Sequence, residues 1–505
     1  MRTSTLELEL SCEDDTKILG RALAQLLSAG DVVFLKGPMG AGKSALARAA
    51  IQSLNSYGLA VPSPSFTLVY PYSDGHKGVY HADLYRLTDP EEVYELGLAD
   101  CLKDHALFVE WPEHGEGHLP KPTLIIDIEP SGITQRRISV MGVDEARLHQ
   151  LEVGFTRQHL IAEFLSKHDL AQAHVQHIAG DASARRYLRL FSGGSNALTT
   201  YVLMDWPHGP DGPPVYDGQP YSKIACLAEA TPQFCQMVRY LKALGLSAPI
   251  LHAADEDAGL ILLEDLGSEN LQDMPQSDPA RPIALAESVA TLTALHEATP
   301  SSFLPQYDAQ VIWFETTLFL DWYLPAIGIQ ISEEARQAWK DMWHNIAYRD
   351  LTLPSVTVLR DFHSPNIIWL RDRQASQRIG LIDVQDALLG SPAYDLASLL
   401  QDARVDMDHV QEEIGLSRYC EWRLLSADVA AQLRDEYDIL GVQRNLKIAG
   451  IFHRLNARDG KPHYLNHLPR IEAYLARGLA RPALAPLREW LGDHAPTWHW
   501  KSDDH

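Results

Sequence analysis

Gly37-Pro38-Met39-Gly40-Ala41-Gly42-Lys43-Ser44 is a glycine-rich loop ending in Lys-Ser, and about 320 residues further on stands Asp361-Phe362-His363-Ser364-Pro365-Asn366, followed by Asp383. Between them these stretches decide the fold. In the first, glycines let successive backbone N–H groups face a phosphate at the start of a helix. The lysine reaches the outer phosphates and the serine hydroxyl ligates Mg²⁺. In the second, the Asp-x4-Asn…Asp spacing supplies a carboxylate for an acceptor hydroxyl and two oxygen ligands for metal. The two patterns belong to different architectures. The chain therefore reads as two nucleotide-using modules joined end to end.

The surroundings of the first loop fit that reading. Residues 5–10 alternate polar and apolar, as a half-buried strand does. Ser11 can cap a helix running to residue 27, with Ile18, Leu19, Ala22, Leu23 and Leu26 on one stripe. Residues 31–36 form a short apolar strand, the loop follows directly, and 44–53 read as helix. Strand–loop–helix is the setting a P-loop requires. Further strands are predicted at 66–70, 79–85, 106–110, 124–128 and 137–140, which makes an α/β domain ending near residue 145. Ser63-Pro64-Ser65-Phe66-Thr67 places hydroxyls around a proline and on its own reads as a turn. His81, Asp83 and Tyr85 alternate along one predicted strand and so share a face. Glu110 closes an apolar strand, where such folds hold Mg²⁺ or its water.

No Pro/Gly/Ser-rich linker separates the modules. The boundary is placed within residues 145–155, where the strand pattern gives way to a helical one. Residues 176–190, 199–205 and 259–264 read as strands of a small mixed lobe, and 209–220 as a Gly/Pro-rich loop. From about residue 280 the chain is predicted mostly helical, broken by strands at 356–359, 367–370 and 379–383. Asp361 follows the first of these strands and is placed to take the acceptor hydroxyl's proton. Asn366 and Asp383 are the candidate metal ligands, and two Mg²⁺ ions there would neutralise charge on the transferring phosphoryl. Residues 311–324 are rich in aromatics at helical spacing, including Trp313, Phe314 and Trp322, which favours core over pocket lining.

Composition narrows the class. The 505 residues suffice for two to four domains, and 46% hydrophobic with 22% charged residues is ordinary for globular proteins. A net charge of −24 argues against a generic nucleic-acid or membrane surface, which needs clustered Lys and Arg. Five cysteines without a C-x-x-C pattern suggest neither a disulfide framework nor a zinc site and fit a reducing cytoplasm. The acidic start lacks an apolar signal core, and no run of about 18 apolar residues occurs, so a cytoplasmic chain without a membrane span is expected.

Taken in order, the P-loop, S-P-S-F-T-L, H-A-D-L-Y-R, the Glu91-Glu92…Glu95-Leu96-Gly97 stretch and V-E-W-P resemble the TsaE family over about residues 5–145. This is the ATPase subunit of the bacterial tRNA threonylcarbamoyladenosine system. The resemblance implies an α/β P-loop NTPase domain over residues 1–150 that uses ATP and Mg²⁺ in support of adenosine-37 modification in tRNAs reading ANN codons. By motif, Gly37, Gly40, Gly42, Lys43, Ser44 and Ala45 would hold the phosphates. Ser44 and Glu110 would bind Mg²⁺ or position water, Thr67 and Asp83 would be switch or catalytic residues, and Trp111 would lie near the nucleotide. Proteins of the TsaB and TsaD types are implied as partners, with tRNA reached indirectly. Ser65 stands where the family usually has Thr, and a hydroxyl is retained.

The second module resembles the aminoglycoside-phosphotransferase-like kinases, and within them the AmgK group of anomeric kinases for N-acetylmuramate and N-acetylglucosamine. The matching stretches are Gly180-Asp181-Ala182-Ser183 with Arg185-Arg186-Tyr187, V-L-M-D at 202–205, L-L-E-D-L-G at 262–267, R-D-F-H-S-P-N, D-V-Q-D-A with Tyr394-Asp395-Leu396, Asp402-Ala403-Arg404, and a tail including Gly450-Ile451-Phe452-His453-Arg454. The implied fold is an α+β, protein-kinase-like bilobal domain over residues 151–500, with a small lobe at 155–266 and a large helical lobe at 267–500. Asp361 would be catalytic, Asn366 and Asp383 would bind Mg²⁺, and Ser183, Arg186, Glu264 and Leu266 would contact ATP. An amino sugar is the implied acceptor, and Asp395 is expected to pin the metal-binding loop. Leu359 stands where kinases usually have His, and Val384 where the family more often has Phe. The V-L-M-D strand lacks the phosphate-pairing Lys of protein kinases, and Arg185, Arg186 and Lys223 are the candidates to replace it.

Two other readings remain open at this level. The second module could be an antibiotic kinase, which would need an acidic groove for a polycationic acceptor. Alternatively, one module could bind nucleotide only to regulate or scaffold the other.

Overall fold

The computed structural model describes residues 4–55, 58–73, 78–142, 144–178, 185–193, 198–207 and 212–498. The chain divides into two compact units, Met1–Pro207 with Ala253–Leu263, and His208–His252 with Glu264–His505.

The first unit is built on a seven-stranded sheet of β1 (Ser4–Leu10), β2 (Val32–Lys36), β3 (Val69–Tyr72), β4 (Gly78–Asp83), β5 (His105–Glu110), β6 (Leu124–Pro130) and β7 (Arg136–Gly142), in spatial order β1-β7-β6-β2-β5-β4-β3. β2 runs parallel to β5 and β6, and β4 parallel to β5, while β1, β7 and β3 pair antiparallel at the edges. The central parallel strands, VVFLK and HALFVE, are apolar almost throughout because both sheet faces are covered. Side chains alternate between faces. Val33 and Leu35 therefore join the core made by α1 (Glu13–Leu26) and α2 (Lys43–Leu54), through Leu19, Leu23, Leu46 and Ile51. Val32, Leu107 and Val109 pack with Ala82, Leu84, Val93 and Leu98 on the other face.

One expected strand begins later than the sequence suggests. Phe66 and Thr67 lie in a turn, and the strand starts only at Val69. Leu68 N–H closes back on Pro64 O at 2.7 Å, and Leu68 takes a left-handed φ of 65°. The expected strand through Tyr85 stops at Asp83, where Leu84 N–H turns to Glu110 O. Tyr85 therefore leaves the face shared by His81 and Asp83.

A single helix, Glu145–Lys167, runs through the region where the module boundary is expected. Its Leu148, Leu151 and Phe155 belong to the core of the first sheet. Its Ile161, Phe164 and Leu165 belong to the core under a second, five-stranded sheet. That sheet contains His174–Ile178, Arg186–Ser192, Thr199–Asp205, Leu251–Asp255 and Leu260–Glu264.

The second unit is mostly helical, as expected, with two short antiparallel strand pairs, Val356–Val358 with Leu388–Gly390 and Ile367–Trp369 with Ile379–Leu381. Its spine is the 33-residue helix Ala427–Asp459. The aromatic segment forms an α-helix over Ala309–Leu318 and then a π-turn over Phe319–Tyr323. The spine crosses it at Gly450, where a Cβ would lie 2.3 Å from Leu318 O, so only glycine permits this approach. No helix among the described residues is long and apolar enough to cross a membrane.

Candidate active sites

In the first unit the glycine-rich loop leaves β2 and enters α2. Gly37 has φ 128°, and a Cβ there would sit 2.3 Å from Ile128 O; Gly42, at the helix start, has φ 116°. Both positions exclude side chains for conformational reasons. Lys43 is buried, and its Nζ donates to Gly37 O at 2.7 Å and Pro38 O at 3.0 Å. The ammonium also lies 3.6 Å from the centre of the Trp111 ring. Burial pulls the Lys43 ammonium below its ordinary value, against the opposing pull of Glu110, Glu113 and Asp83.

The strand ends bring the acidic residues to this loop. Asp83 and Glu110 are register partners on β4 and β5. Ser44 Oγ donates to Glu110 Oε2 at 2.8 Å, and His81 Nε2 lies 2.7 Å from Glu110 Oε1. His81, Asp83 and Glu110 are all buried, so the strand carries an interior hydrogen-bonded group. Asp83 accepts from Ser63 Oγ at 3.0 Å, Ser65 Oγ at 2.8 Å and Tyr85 N–H at 3.1 Å. Thr67 is exposed and outside this network among the described residues. Trp111 takes a left-handed φ of 57° and packs against Tyr85, with ring centres 5.0 Å apart. A hydroxyl and a carboxylate side by side form an oxygen donor set of the kind Mg²⁺ requires.

In the second unit the strand Val356–Val358 delivers the catalytic-type loop. Leu359 N–H and Arg360 N–H donate to the Asp395 carboxylate at 2.7 and 2.9 Å, so Asp395 fixes the start of the Asp361 loop. Leu359, the departure from the usual His, serves here through its backbone. Arg360 is held at φ 69°. Its guanidinium pairs with Glu315, which also takes Lys447 Nζ at 2.5 Å, Tyr307 Oη at 2.6 Å and Gln443 Nε2 at 3.0 Å. Burial alone would raise the Glu315 carboxyl; Arg360 and Lys447 outweigh it and hold the group well below the carboxylate range.

Asp361 is half-buried. Burial pushes its carboxyl up, but Lys447, His363, Arg360 and Arg444 together bring it below its ordinary value. It is therefore ionised and able to accept a proton or a hydrogen bond. Asn366 Nδ2 donates to Asp361 O at 3.0 Å. With its amide nitrogen so committed, Asn366 can offer only its oxygen elsewhere. Ile382 N–H reaches Asn366 O at 3.3 Å and brings the Asp383 segment to the loop. The strand ends at Leu381, and Asp383 itself takes φ 59°, with Gln385 Nε2 3.2 Å from its Oδ1. An amide oxygen and a carboxylate suit Mg²⁺, so the donor set fits that ion.

The remaining predicted contacts are more dispersed. Arg186 Nη2 pairs with the buried Asp205 at 2.7 Å, and Arg157 shares that carboxylate at 2.6 Å. Arg185 lies over the Trp206 ring at 5.1 Å. Glu264 ends its strand and pairs with Arg373 at 2.5 Å, and Leu266 follows it, buried. Ser183 lies outside the described residues. The aromatic segment proves to be both core and lining: Trp313 and Phe314 are buried yet border a cavity of about 820 Å³ with Tyr216, Tyr221, Lys340 and Arg454. The Glu315–Arg360–Lys447 cluster was missed by sequence reasoning. A lone acid inside the apolar stretch VIWFETTL was its available signal.

Comparison with known proteins bears on both sites. The model of the threonylcarbamoyl adenosine biosynthesis protein TsaE matches residues 10–138, and that of the phosphotransferase enzyme family matches residues 174–437. An N-acetylmuramate/N-acetylglucosamine kinase of Caulobacter vibrioides is 34% identical over 353 residues, covering 66% of this chain and 96% of the relative. Its namesake in Pseudomonas aeruginosa is 33% identical, covering 62% of this chain and 86% of that protein. A tRNA threonylcarbamoyladenosine biosynthesis protein TsaE of Rickettsia conorii is 36% identical over 132 residues, covering 26% of this chain and 75% of the relative. The chain thus belongs to the TsaE family through its N-terminal module and to the phosphotransferase enzyme family through its C-terminal module.

Proposed function

We propose that the chain is a bifunctional enzyme. The N-terminal module hydrolyses ATP in support of tRNA N6-threonylcarbamoyladenosine formation, together with TsaB- and TsaD-type partners. The C-terminal module transfers the γ-phosphoryl group of ATP to the anomeric hydroxyl of N-acetylmuramate or N-acetylglucosamine. The observation that carries the second half is the charged, half-buried Asp361, held by Lys447 and Arg360, in a chain 34% identical to nearly the whole of a kinase for these sugars.

In the first site the roles follow from position. Gly37, Gly40, Gly42, Lys43, Ser44 and Ala45 receive the phosphates, and Trp111 closes over the lysine. Ser44 and Glu110 would hold Mg²⁺. Asp83 reads the state of the Ser63–Ser65 hydroxyls and, with Thr67, acts as the switch. His81 orients Glu110.

In the second site the anomeric oxygen attacks the γ-phosphorus, the bond to the β–γ bridging oxygen breaks, and ADP leaves. Asp361 accepts the hydroxyl proton and later releases it to solvent. An anomeric hydroxyl is more acidic than other sugar hydroxyls, so positioning contributes more than base strength. Asn366 and Asp383 would hold Mg²⁺, which when bound would neutralise charge on the phosphoryl group. Glu264 and Leu266 are assigned to the adenine, and Ser183 and Arg186 to the phosphates. The cations of the 820 Å³ cavity disfavour a polycationic aminoglycoside as acceptor.

The test is ³¹P NMR of the chain with ATP, Mg²⁺ and each sugar, beside Asp361→Asn. The expected result is an anomeric sugar-phosphate signal that the variant lacks while still binding ATP. No sugar phosphate from the unaltered chain would overturn the assignment.

A further inference from the structure

The cavity of about 820 Å³ lies wholly within the second unit. Its walls combine aromatic rings with four cations, Arg336, Lys340, Arg454 and Arg458, and two carboxylates, Asp321 and Glu333. Two of the cations are neutralised within the protein: Arg336 pairs with Asp321 at 2.6 Å and Arg458 with Asp459 at 2.7 Å. Lys340 donates to Tyr216 Oη at 2.9 Å and lies 4.6 Å from the centre of the Trp313 ring. Arg454 differs from these. It is half-buried over the Tyr221 ring at 5.7 Å, its Nε is buried without an acceptor, and no carboxylate pairs with it among the described residues. Trp313 Nε1 on the same wall is also buried without an acceptor.

Position ties this cation to the reaction centre. Arg454 and Lys447 are seven residues apart on the spine helix, two turns along one face and roughly 10 Å in axial distance. Lys447 acts on Asp361, and both Lys447 and Arg454 act on Tyr221. A sugar with its reacting oxygen at Asp361 would therefore reach toward Arg454 with its far substituents. A guanidinium partly withdrawn from water, with no carboxylate in direct contact among the described residues and only Asp459 acting on it from a distance, gains from an anion that completes its hydrogen bonds.

We propose that Arg454 is the specificity-determining residue that recognises the carboxylate of an acidic amino-sugar acceptor, the ether-linked lactate of N-acetylmuramate. This rests on the amino-sugar kinase reading above. N-acetylglucosamine lacks the carboxylate and leaves Arg454 unused, so the two sugars separate the contact from the chemistry.

Steady-state kinetics of the full chain test it, with ATP and Mg²⁺ and both sugars, for the unaltered protein, Arg454→Met and Arg454→Lys. Losing a charged hydrogen bond should lower kcat/KM for N-acetylmuramate by roughly 10- to 100-fold, mainly through KM. The ratio of the two sugars' kcat/KM should collapse in Arg454→Met and recover in part in Arg454→Lys. The methyl ester of N-acetylmuramate with the unaltered chain gives an answer independent of variant folding, and should be as poor a substrate as the acid is for Arg454→Met. An unchanged sugar ratio, or an ester used as well as the acid, overturns the assignment of Arg454. Failure of the unaltered chain to phosphorylate either sugar overturns the kinase reading instead.

Discussion

Gly37 shows how a single position can decide a site. Its φ of 128° and the 2.3 Å approach of a would-be Cβ to Ile128 O leave no conformation for alanine without moving the loop. A left-handed non-glycine residue costs about 1–3 kcal/mol before any clash is counted. Gly37→Ala should therefore weaken binding of a fluorescent ATP analogue to the first site at least roughly tenfold, the equivalent of about 1.4 kcal/mol. The measurement belongs in an Asp361→Asn, Asn366→Ala background, so that the second site contributes little signal. Unchanged affinity would refute the loop geometry. The glycines, Lys43 and Ser44 were all legible in the sequence because spacing alone determines a phosphate loop. The Ser44–Glu110–His81 relay was not, because it joins residues from α2, β5 and β4 that only the sheet register brings together.

At the scale of elements, Glu315 ties three segments together: its own helix Ala309–Leu318, the Arg360 turn and the spine helix through Lys447. Removing its charge would leave two buried cations without compensation, so Glu315→Gln should cost about 3–5 kcal/mol in chemical denaturation. The sign with pH follows from the depressed carboxyl. Its folded value lies below the unfolded one, so its stabilisation is complete above the ordinary carboxylate value of about 4.3. The stabilisation declines as pH drops below that value and is gone once pH passes the folded one. The stability gap between the unaltered chain and Glu315→Gln should be constant near neutrality and narrow on acidification. A gap that widened in acid would refute the ion cluster. Sequence periodicity found the helix and its aromatics, and it favoured core over pocket lining. Trp313 is at once buried in the core and on a cavity wall, a double role that periodicity does not encode.

For the whole molecule, the two sites share no residue, and mutations at separate sites without shared partners act additively. On the proposed function, Lys43→Ala should abolish the ATP turnover expected in the presence of TsaB- and TsaD-type proteins while leaving amino-sugar phosphorylation at the level of the unaltered chain. Asp361→Asn should do the reverse. Coupled ATPase assays, with and without sugar and with and without the partner proteins, check both directions. A Lys43→Ala chain that lost sugar phosphorylation would show that the modules depend on one another.

The sequence by itself determined that there are two modules and which chemistry each family carries, and it named the residues proposed to hold phosphate, metal and proton. Those assignments depend on local spacing, and local spacing is written in the chain. It also determined most strands and helices, since burial on one face or two imposes a period that composition reveals. Only the tertiary structure decided where the strand turn at Leu68 falls and that one helix runs unbroken through the expected boundary. It alone revealed that His81 is buried against Glu110, that Glu315 collects Arg360 and Lys447, and that Arg454 lines the aromatic cavity with no paired carboxylate among the described residues. Each of these depends on contacts between residues far apart in the chain, where desolvation and charge pairing act through space and leave no periodic trace in the sequence.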